Sequence, residues 1–395
     1  MASRGAWNSR PDESESGSMN DPVVVRPVRG HADLEAFIRL PWALYRQDPC
    51  WVPPIVALQR RFLSPRTGPF FEQGEADYFL AFRGDRPVGR LSAHVNRAHE
   101  QRHGAQDGFF GFFECADDPE AAHALFEAGA KRLRERGKTR VLGPMSFGIY
   151  DEIGLLVEGF DALPPMLLTH NPPYYAALWA GWGFRKALDW LALRITNRQV
   201  DPAAMQAEAR TILEASRLRM STPKPGDVMR RAGEIFDLFN SAWQSNWGHV
   251  PFTPKQFNAI LHELRPALRS DMIRIVENSL GIVAFIITIV DLNPQLQRLD
   301  GRCSWWDRLG LLAQARWRPV HKVKTVLLGV DRRYQRRRLH DAMILDTYAQ
   351  LIREQPRLEV GDCSLIPETL DFYIQGLERY GAARYKTYRI YERDL

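Results

Sequence analysis

Residues 324–344 read KTVLLGVDRRYQRRRLHDAMI. The apolar run at residues 326–330 predicts a buried strand, and the apolar spacing that begins at Leu339 predicts a helix. Between them lies a turn that contains five arginines, Arg332, Arg333, Arg336, Arg337 and Arg338. Free backbone N–H groups and the positive end of the helix dipole attract anions at the start of a helix. The stretch therefore predicts a site for phosphate groups, with a solvated basic turn as the alternative.

The chain on either side of this stretch shows one order of elements twice. Each half has a strand, helices, a hairpin, a strand, a helix, a strand, a helix and a last strand. This order predicts an α/β fold of two tandem domains, residues 23–200 and 201–395. Each domain is expected to be a mixed, mostly antiparallel sheet flanked by helices. Gly84-Asp85 is predicted to form a hairpin turn, and Asn171 is predicted to cap a helix.

Composition excludes several classes of protein. The four cysteines are scattered without a C-x-x-C pair, which argues against a zinc ribbon or a disulfide framework, and no metal site is expected. No run of 18 apolar residues suggests a membrane span. Residues 1–22 are polar, lack the apolar centre of a signal peptide and are predicted to be disordered. The expected localisation is cytoplasmic, with peripheral contact to the inner membrane as an extension.

An insertion in the second half, residues 299–318, reads LDGRCSWWDRLGLLAQARWR. On a helix, Trp305, Leu309 and Leu312 share one face, and arginines lie elsewhere. Tryptophan and leucine opposite arginine are typical of a helix that lies in a membrane interface. Residues 303–318 are therefore the predicted membrane contact. The alternative is a helix packed on the protein's own core.

Several long strings resemble a bacterial family with two GNAT acyltransferase folds in tandem, and the resemblance covers residues 23–395. In the first half it rests on DPCWVPP (48–54), VGRLSAHVNRAH (88–99), GFFGFFE (108–114), GPM (143–145), GLLVEGF (154–160) and HNPPYY (170–175). In the second half it rests on NWGHVP (246–251), DLN (291–293) and RYKTYRIYE (384–392). A narrower resemblance is to bacterial ceramide synthases. Those enzymes move a fatty acyl group from a thioester to the amine of a sphingoid base.

The resemblance implies an acyl donor that is acyl-CoA or an acyl carrier protein, used as a co-substrate and not as a tightly bound cofactor. CADDPE (115–120) puts acids where the first half would meet phosphate, so the second half is expected to hold the donor and the first half the acceptor. Arg338 and His340 stand where the family's turn has small residues. The expected donor-binding residues are Leu328, Val330, Gln335, Arg336, Arg337, Arg338 and Leu339.

Amide formation from a thioester requires a base for the amine and donors for the carbonyl oxygen. Glu114 ends the strand GFFGFFE, and Asp151 with Glu152 forms a second carboxylate candidate. Core packing or turn structure is the alternative for the aromatic and histidine candidates. The candidate catalytic residues are Glu114, His94, Glu152, His170 and Tyr175. The candidate substrate-binding residues are Asn96, Asn246, Trp247, Asp291 and Asn293.

These observations favour an N-acyltransferase that acylates a sphingoid base or a similar long-chain lipid amine. A Fem-like transferase that uses aminoacyl-tRNA is one alternative, although a nucleic-acid partner is not expected from so short a basic stretch. A non-catalytic protein that binds acyl-CoA or lipid is the other. The missing glycines of the turn favour this last reading.

Overall fold

A continuous sheet of fourteen strands runs through both halves of the computed structural model, which describes residues 21–395. The prediction that residues 1–22 are disordered therefore falls almost entirely outside the described residues. The first half contains β1 (Val23–Pro27), α1 (Gly30–Leu44), α2 (Val56–Leu63), β2 (Gly74–Arg83), β3 (Arg86–Asn96), α3 (Arg97–His103), β4 (Asp107–Cys115), α4 (Pro119–Glu135), β5 (Arg140–Gly143), β6 (Met145–Ser146), β7 (Glu152–Ile153), β8 (Leu155–Glu158), α5 (Tyr175–Gly181) and β9 (Arg185–Thr196).

The second half repeats this layout with one long addition between its third and fourth described strands. It contains α6 (Pro202–Ser216), β10 (Arg219–Ser221), α7 (Pro225–Arg230), α8 (Ala232–Trp243), α9 (Pro254–Leu264), β11 (Ile273–Asn278), β12 (Gly281–Val290), α10 (Asn293–Leu299), α11 (Trp305–Arg316), β13 (Lys322–Val330), α12 (Leu339–Glu354), β14 (Val360–Asp362), β15 (Ile366–Pro367), α13 (Asp371–Arg379) and β16 (Ala383–Asp394). The predicted fold class, a mixed and mainly antiparallel sheet flanked by helices, is confirmed.

The two halves exchange strands at the centre of the sheet. The order is β1-β2-β3-β4-β5-β16-β9-β14-β13-β12-β11-β10, so the last strand of the chain lies between two strands of the first half. In turn, β9 pairs with β14 of the second half. The sheet therefore does not separate at residue 200, and the division into two domains stays a prediction.

Strand direction sets where each half can hold a ligand. The pairs β4–β5 and β13–β14 are parallel, and the steps from β5 through β16 and β9 to β14 are antiparallel. As a result β4 and β13 run in opposite directions. Four strands lie between them, which corresponds to about 24 Å across the sheet.

The helices cover both faces of the sheet. On one face α4 and α5 pack over the first half and α6 and α12 over the second. On the other face α1 and α2 cover the first half, and α8 and α9 cover the second. Between them lies a core to which both halves contribute, including Phe109, Leu142, Trp190, Trp247 and Tyr388.

Some local predictions were right and others were wrong. Gly84-Asp85 does form the turn between β2 and β3. Asn171 does not cap α5, because its side chain bonds to the N–H and the carbonyl of Leu156 instead. The helix expected to carry Trp305, Leu309 and Leu312 is α11, which begins at Trp305 after a Ser304 cap. The short helix α10 comes before it and ends at Leu299.

Candidate active site

In the second half β13 separates from β14 after three paired residues, which leaves a cleft beside β13. This strand pairs with β14 only at residues 322–324, and the chain then crosses to pair with β9 through β15. Ile287 pairs with Leu327 and Thr288 with Thr325, so Val326 is an extra residue on β13. Such a bulge leaves one residue out of the ladder and often lies beside an active site. Backbone N–H groups at this point of the cleft are suited to an oxyanion.

The equivalent cleft of the first half is filled by the protein's own chain. β4 also pairs with β5 over only three residues, and it carries a bulge at which Phe112 has φ 49°. However, a Cβ atom on Gly111 would lie 2.3 Å from the carbonyl oxygen of Met145. The Phe112 N–H also donates to Ser146 Oγ at 3.3 Å. A thioester arm therefore has no room between β4 and β5.

The helices that follow these clefts differ in their capacity for anions. Asp118 caps α4 through the N–H of Ala121, and Arg83 binds Asp118 at 2.6 Å and Glu120 at 2.8 Å. The start of α12 has no side-chain cap. Its first amides have no intrahelical partner, as at the N-terminus of any α-helix. The second half is therefore the one that suits a pyrophosphate.

The structure places the predicted donor-binding residues in four kinds of environment. Arg338 forms ion pairs with Glu208 and Asp341, both at 2.9 Å, so its charge is already compensated. The Leu328 carbonyl accepts from Trp243 Nε1 at 2.8 Å, and Gln335 Nε2 donates to the Val330 carbonyl at 3.3 Å. Leu339 is buried. Arg336 and Arg337 are exposed, so their charge is accessible from solvent.

Glu114 lies in a polar cluster beneath α1. It accepts hydrogen bonds from the hydroxyls of Tyr45 at 2.6 Å and Tyr175 at 2.7 Å, and Arg90 lies 3.5 Å away. Burial raises the pKa of Glu114, and Arg90 and the two hydroxyls oppose that rise. The sequence indicated Glu114 and Tyr175 as two separate candidates, and the structure places them in one hydrogen-bonded cluster.

A bridging segment, residues 144–153, carries two more acids from the first half toward the second. Tyr150 packs on Phe252 and Trp243, with ring centroids 4.4 and 5.9 Å apart, and Trp243 holds the Leu328 carbonyl on β13. Glu152 accepts from Ser146 Oγ at 3.4 Å, and its pKa is raised by burial against the influence of Arg90. Burial and the Glu152 charge raise the pKa of Asp151 to about 8.

For a donor held by β13, this geometry favours Asp151 over Glu114 as the base. Glu114 is on β4, about 24 Å across the sheet from β13. Asp151 follows Tyr150, which packs against Trp243 of the second half. It is also partly exposed, so a substrate amine can reach it. The carboxylate pair was visible in the sequence, but nothing there indicated that its first member adjoins the second half.

The other residues predicted in the first half have structural partners. His94 is fully buried among Phe70, Phe109 and Phe147, and burial together with Arg136 lowers its pKa to about 3. Asn96 caps α3 through the N–H groups of residues 98 and 99. His170 Nε2 lies 2.8 Å from Asp48 and fixes the loop between α1 and α2. The structure does not bring these three side chains to the cleft of β13.

The residues predicted in the second half tie the two halves together. Asp291 accepts from the N–H groups of Met166 and Asn293, and Asn293 Nδ2 donates to the Pro164 carbonyl at 2.8 Å. Trp247 packs against the shared core. The Asn246 backbone forms a turn with Trp243. These contacts position the covering loops, and Asp291 and Asn293 have little surface left for substrate.

Sequence reasoning missed a buried charged group at the closed end of the cleft. Lys324 and Asp362 are paired across β13 and β14. Asp362 accepts from Tyr385 at 2.6 Å and Ser364 at 2.9 Å. Burial lowers the pKa of Lys324 to about 8, against the opposing influence of Asp362. No sequence signal links these positions, because the helix α12 separates β13 from β14 in the chain and only the pairing of the two strands brings them together.

Asp151 gives a prediction for stability. Its pKa rises from 3.8 to about 8 on folding, so its ionisation favours the unfolded chain as pH rises between these values. We expect Asp151→Asn to raise the melting temperature relative to the parent. The difference in melting temperature should grow from pH 4 to pH 8 and stay constant above pH 8. The change in unfolding free energy is on the order of a few kcal/mol at most, because the side chain is partly exposed. Thermal melts across this range would contradict the assignment if the difference did not vary with pH.

Residues 21–395 contain no group of three or more histidine, cysteine or acidic side chains arranged to hold a metal ion. Within the same range, no helix has the length and apolar character needed to cross a membrane.

Comparison with known proteins identifies relatives that match almost the whole chain. No protein-family model matches it. Protein YghO of Escherichia coli (strain K12) is 31% identical over 377 residues, covering 94% of this chain and 95% of that protein. The bacterial ceramide synthase of Caulobacter vibrioides (strain NA1000 / CB15N) is 29% identical over 386 residues, covering 96% and 99%.

Solved structures show the same fold at low sequence identity. A tandem GNAT protein from the clavulanic acid biosynthesis pathway matches with a TM-score of 0.54 and 13% identity, covering 94% of this chain and 98% of that one. A GCN5-related N-acetyltransferase from Sphaerobacter thermophilus matches with a TM-score of 0.53 and 13% identity, covering 95% and 97%. The chain therefore belongs to one family with Protein YghO, and it has the tandem GNAT fold of these solved structures.

Proposed function

We propose that the protein transfers a long-chain acyl group from acyl-CoA to the amine of a sphingoid base or a similar lipid amine. The fold is that of N-acyltransferases, and a relative of the same length is named a bacterial ceramide synthase. In this proposal the cleft beside β13 holds the thioester, Arg336 and Arg337 meet the CoA phosphates, and the bridging segment supplies the base. An acyl carrier protein would present the same thioester through a phosphopantetheine arm.

The reaction follows from these placements. Asp151 removes a proton from the ammonium group, and the neutral nitrogen attacks the thioester carbonyl carbon. Negative charge then develops on the carbonyl oxygen, which faces the backbone N–H groups at the Val326 bulge. As the C–S bond breaks, the nitrogen loses a second proton, which the departing thiolate takes up, and Asp151 returns the first proton to solvent. A carboxylate whose pKa is about 8 is a stronger base than an ordinary one and is still ionised at mildly alkaline pH.

One observation carries the assignment. The bridging segment takes two acids from the Glu114 cluster of the first half and seats Tyr150 on Trp243, the residue that holds β13. An acidic pocket therefore adjoins the cleft that suits the donor. Glu114, Glu152 and Asp151 together supply the negative charge that a protonated long-chain amine requires.

Thiol release tests this proposal. Purified protein is mixed with palmitoyl-CoA and a panel of amines that includes sphinganine, hexadecylamine, ethanolamine and glucosamine. Free CoA is then followed with a thiol reagent. We expect release that depends on a long-chain amine, with one amide formed for each thiol. Absence of release with every amine and with every acyl-chain length from acetyl to stearoyl would contradict the proposal. Binding of acyl-CoA without release would instead favour a non-catalytic carrier.

A further inference from the structure

The helix α11 exposes to solvent large apolar side chains of the kind that helices normally bury. Trp305, Trp306 and Leu309 are 59, 66 and 47% exposed, and Trp317, directly after the helix, is 73% exposed. Within α11 the buried side chain is Ala315. A surface helix usually turns its apolar side chains toward the core. Adjacent large apolar side chains on the outside mark an interaction surface.

The fold itself does not require this helix. Residues 97–106 connect β3 to β4 in the first half, whereas residues 291–321 connect the equivalent β12 and β13. The beginning of the longer connection is fixed to the first half. Gln297 Nε2 donates to the carbonyls of Pro49 and Trp51, and Trp42 Nε1 donates to Asp300 at 2.8 Å. The insertion is therefore anchored at α10 and presents α11 outward.

The charge around the exposed side chains is strongly positive. Five exposed arginines flank them, Arg298, Arg302, Arg308, Arg316 and Arg318. The acids between residues 298 and 318 are Asp300 and Asp307. Asp300 accepts from Trp42, and Asp307 is occupied by the Ser304 cap of the helix. This arrangement leaves the arginines free to meet anionic groups on a partner.

We infer that α11 and Trp317 form a docking surface for a bilayer that contains anionic lipid. Tryptophan side chains concentrate at the headgroup level of membranes, and arginines near the surface add attraction to anionic headgroups. An amphipathic helix of this kind lies in the plane of the interface and does not cross it. Three exposed tryptophans among five arginines match both requirements of such a surface.

A series of contacts joins this surface to the acidic pocket. Asp300 holds Trp42, Trp42 packs edge-on against Trp51 at 5.2 Å, and Trp51 stacks on Tyr45 at 5.0 Å. Tyr45 donates to Glu114. Docking therefore places the loop between α1 and α2 at the bilayer. A long-chain amine would enter the site from the membrane by this route, a consequence that rests on the proposed function, whereas the docking itself does not.

Vesicle flotation with the full chain tests the docking. We expect binding to vesicles of phosphatidylcholine with 30% phosphatidylglycerol and much weaker binding to phosphatidylcholine alone. Trp305→Ser with Trp306→Ser is expected to weaken binding at least tenfold. Arg316→Glu with Arg318→Glu is expected to weaken it by about fivefold or more for each arginine. The matched controls are Phe372→Ser, which removes an aromatic side chain that is 56% exposed on α13, and Arg357→Glu. Both controls should bind like the parent.

Equal binding by the tryptophan variant and the parent would overturn the inference. Absence of binding to the anionic vesicles would also overturn it. So would binding to bulk tRNA, if the tRNA displaces the protein fully from the vesicles. The measurement needs no acyl donor, so its failure is separable from failure of the proposed function. Thiol release with detergent-dispersed sphinganine reports on the chemistry, and we expect the tryptophan variant to keep it.

Discussion

Replacement of Asp151 by Asn is expected to lower kcat by about 10²- to 10⁴-fold, the usual contribution of a positioned general base. The parent enzyme should show a rate that rises with pH and reaches a plateau above about pH 8, because the carboxyl must be ionised to accept the proton of the amine. In the variant this rise of the rate with pH should disappear, while KM for the acyl donor changes little. Asp85→Asn, at the exposed turn between β2 and β3, is the matched control and should retain the parent rate.

Glu114→Gln separates the two carboxylate candidates. Glu114 is hydrogen-bonded by Tyr45 and Tyr175 and lies on β4, four strands from the donor cleft. We therefore expect Glu114→Gln to decrease kcat less than Asp151→Asn does. We expect it to change KM for the amine more than Asp151→Asn does. A loss of kcat in Glu114→Gln that exceeds the loss in Asp151→Asn would show that the reacting carbonyl lies over β4. The first half would then hold the donor.

Reversal of two charges in the turn before α12 should largely abolish donor binding. Arg336→Glu with Arg337→Glu replaces two exposed cations by anions beside a helix N-terminus that has no side-chain cap. Each reversal changes the interaction with a nearby phosphate by about 2 kcal/mol in water before screening. We expect the Kd for palmitoyl-CoA to rise about 10- to 100-fold at physiological salt, and further at low salt. Isothermal titration with the parent and the variant measures this directly.

The control for this experiment is Arg316→Glu with Arg318→Glu at the C-terminal end of α11. It makes the same change in net charge but is expected to affect vesicle binding and not CoA binding. Arg338 is not a suitable target, because its ion pairs with Glu208 and Asp341 hold the turn in place. An unchanged Kd in the Arg336 and Arg337 variant would show that this turn is not the phosphate site.

The sequence was sufficient for the order of elements and for much of the first-half cluster. The apolar run at residues 108–114 placed Glu114 at a strand end, and the HNPPYY string indicated Tyr175 as a separate candidate. Tyr45 was not recognised, because the contact joins α1 to a strand about 70 residues later, and local pattern has no information about such pairs. The basic turn was also correctly placed before a helix.

The remaining features depend on tertiary structure. Periodicity predicts that residues 382–391 form a strand, but not that this strand is inserted beside β5. The sequence also does not predict that Met145 and Ser146 fill the cleft of the first half, because nothing in the composition of this short segment indicates where it packs. Arginine side chains in one turn look alike in sequence. Only the structure distinguishes Arg338, which is compensated by Glu208 and Asp341, from its exposed neighbours.

A crystal structure with a palmitoyl thioether analogue of CoA tests the central claim most directly, which is that the second half holds the donor and the first half supplies the base. We expect the pyrophosphate at Arg336, Arg337 and the first turn of α12. The carbon that stands in for the carbonyl should lie within about 6 Å of the Asp151 carboxylate, which leaves room for one amine nitrogen between them. A pyrophosphate at the start of α4, with the acyl group over Glu114, would contradict the account.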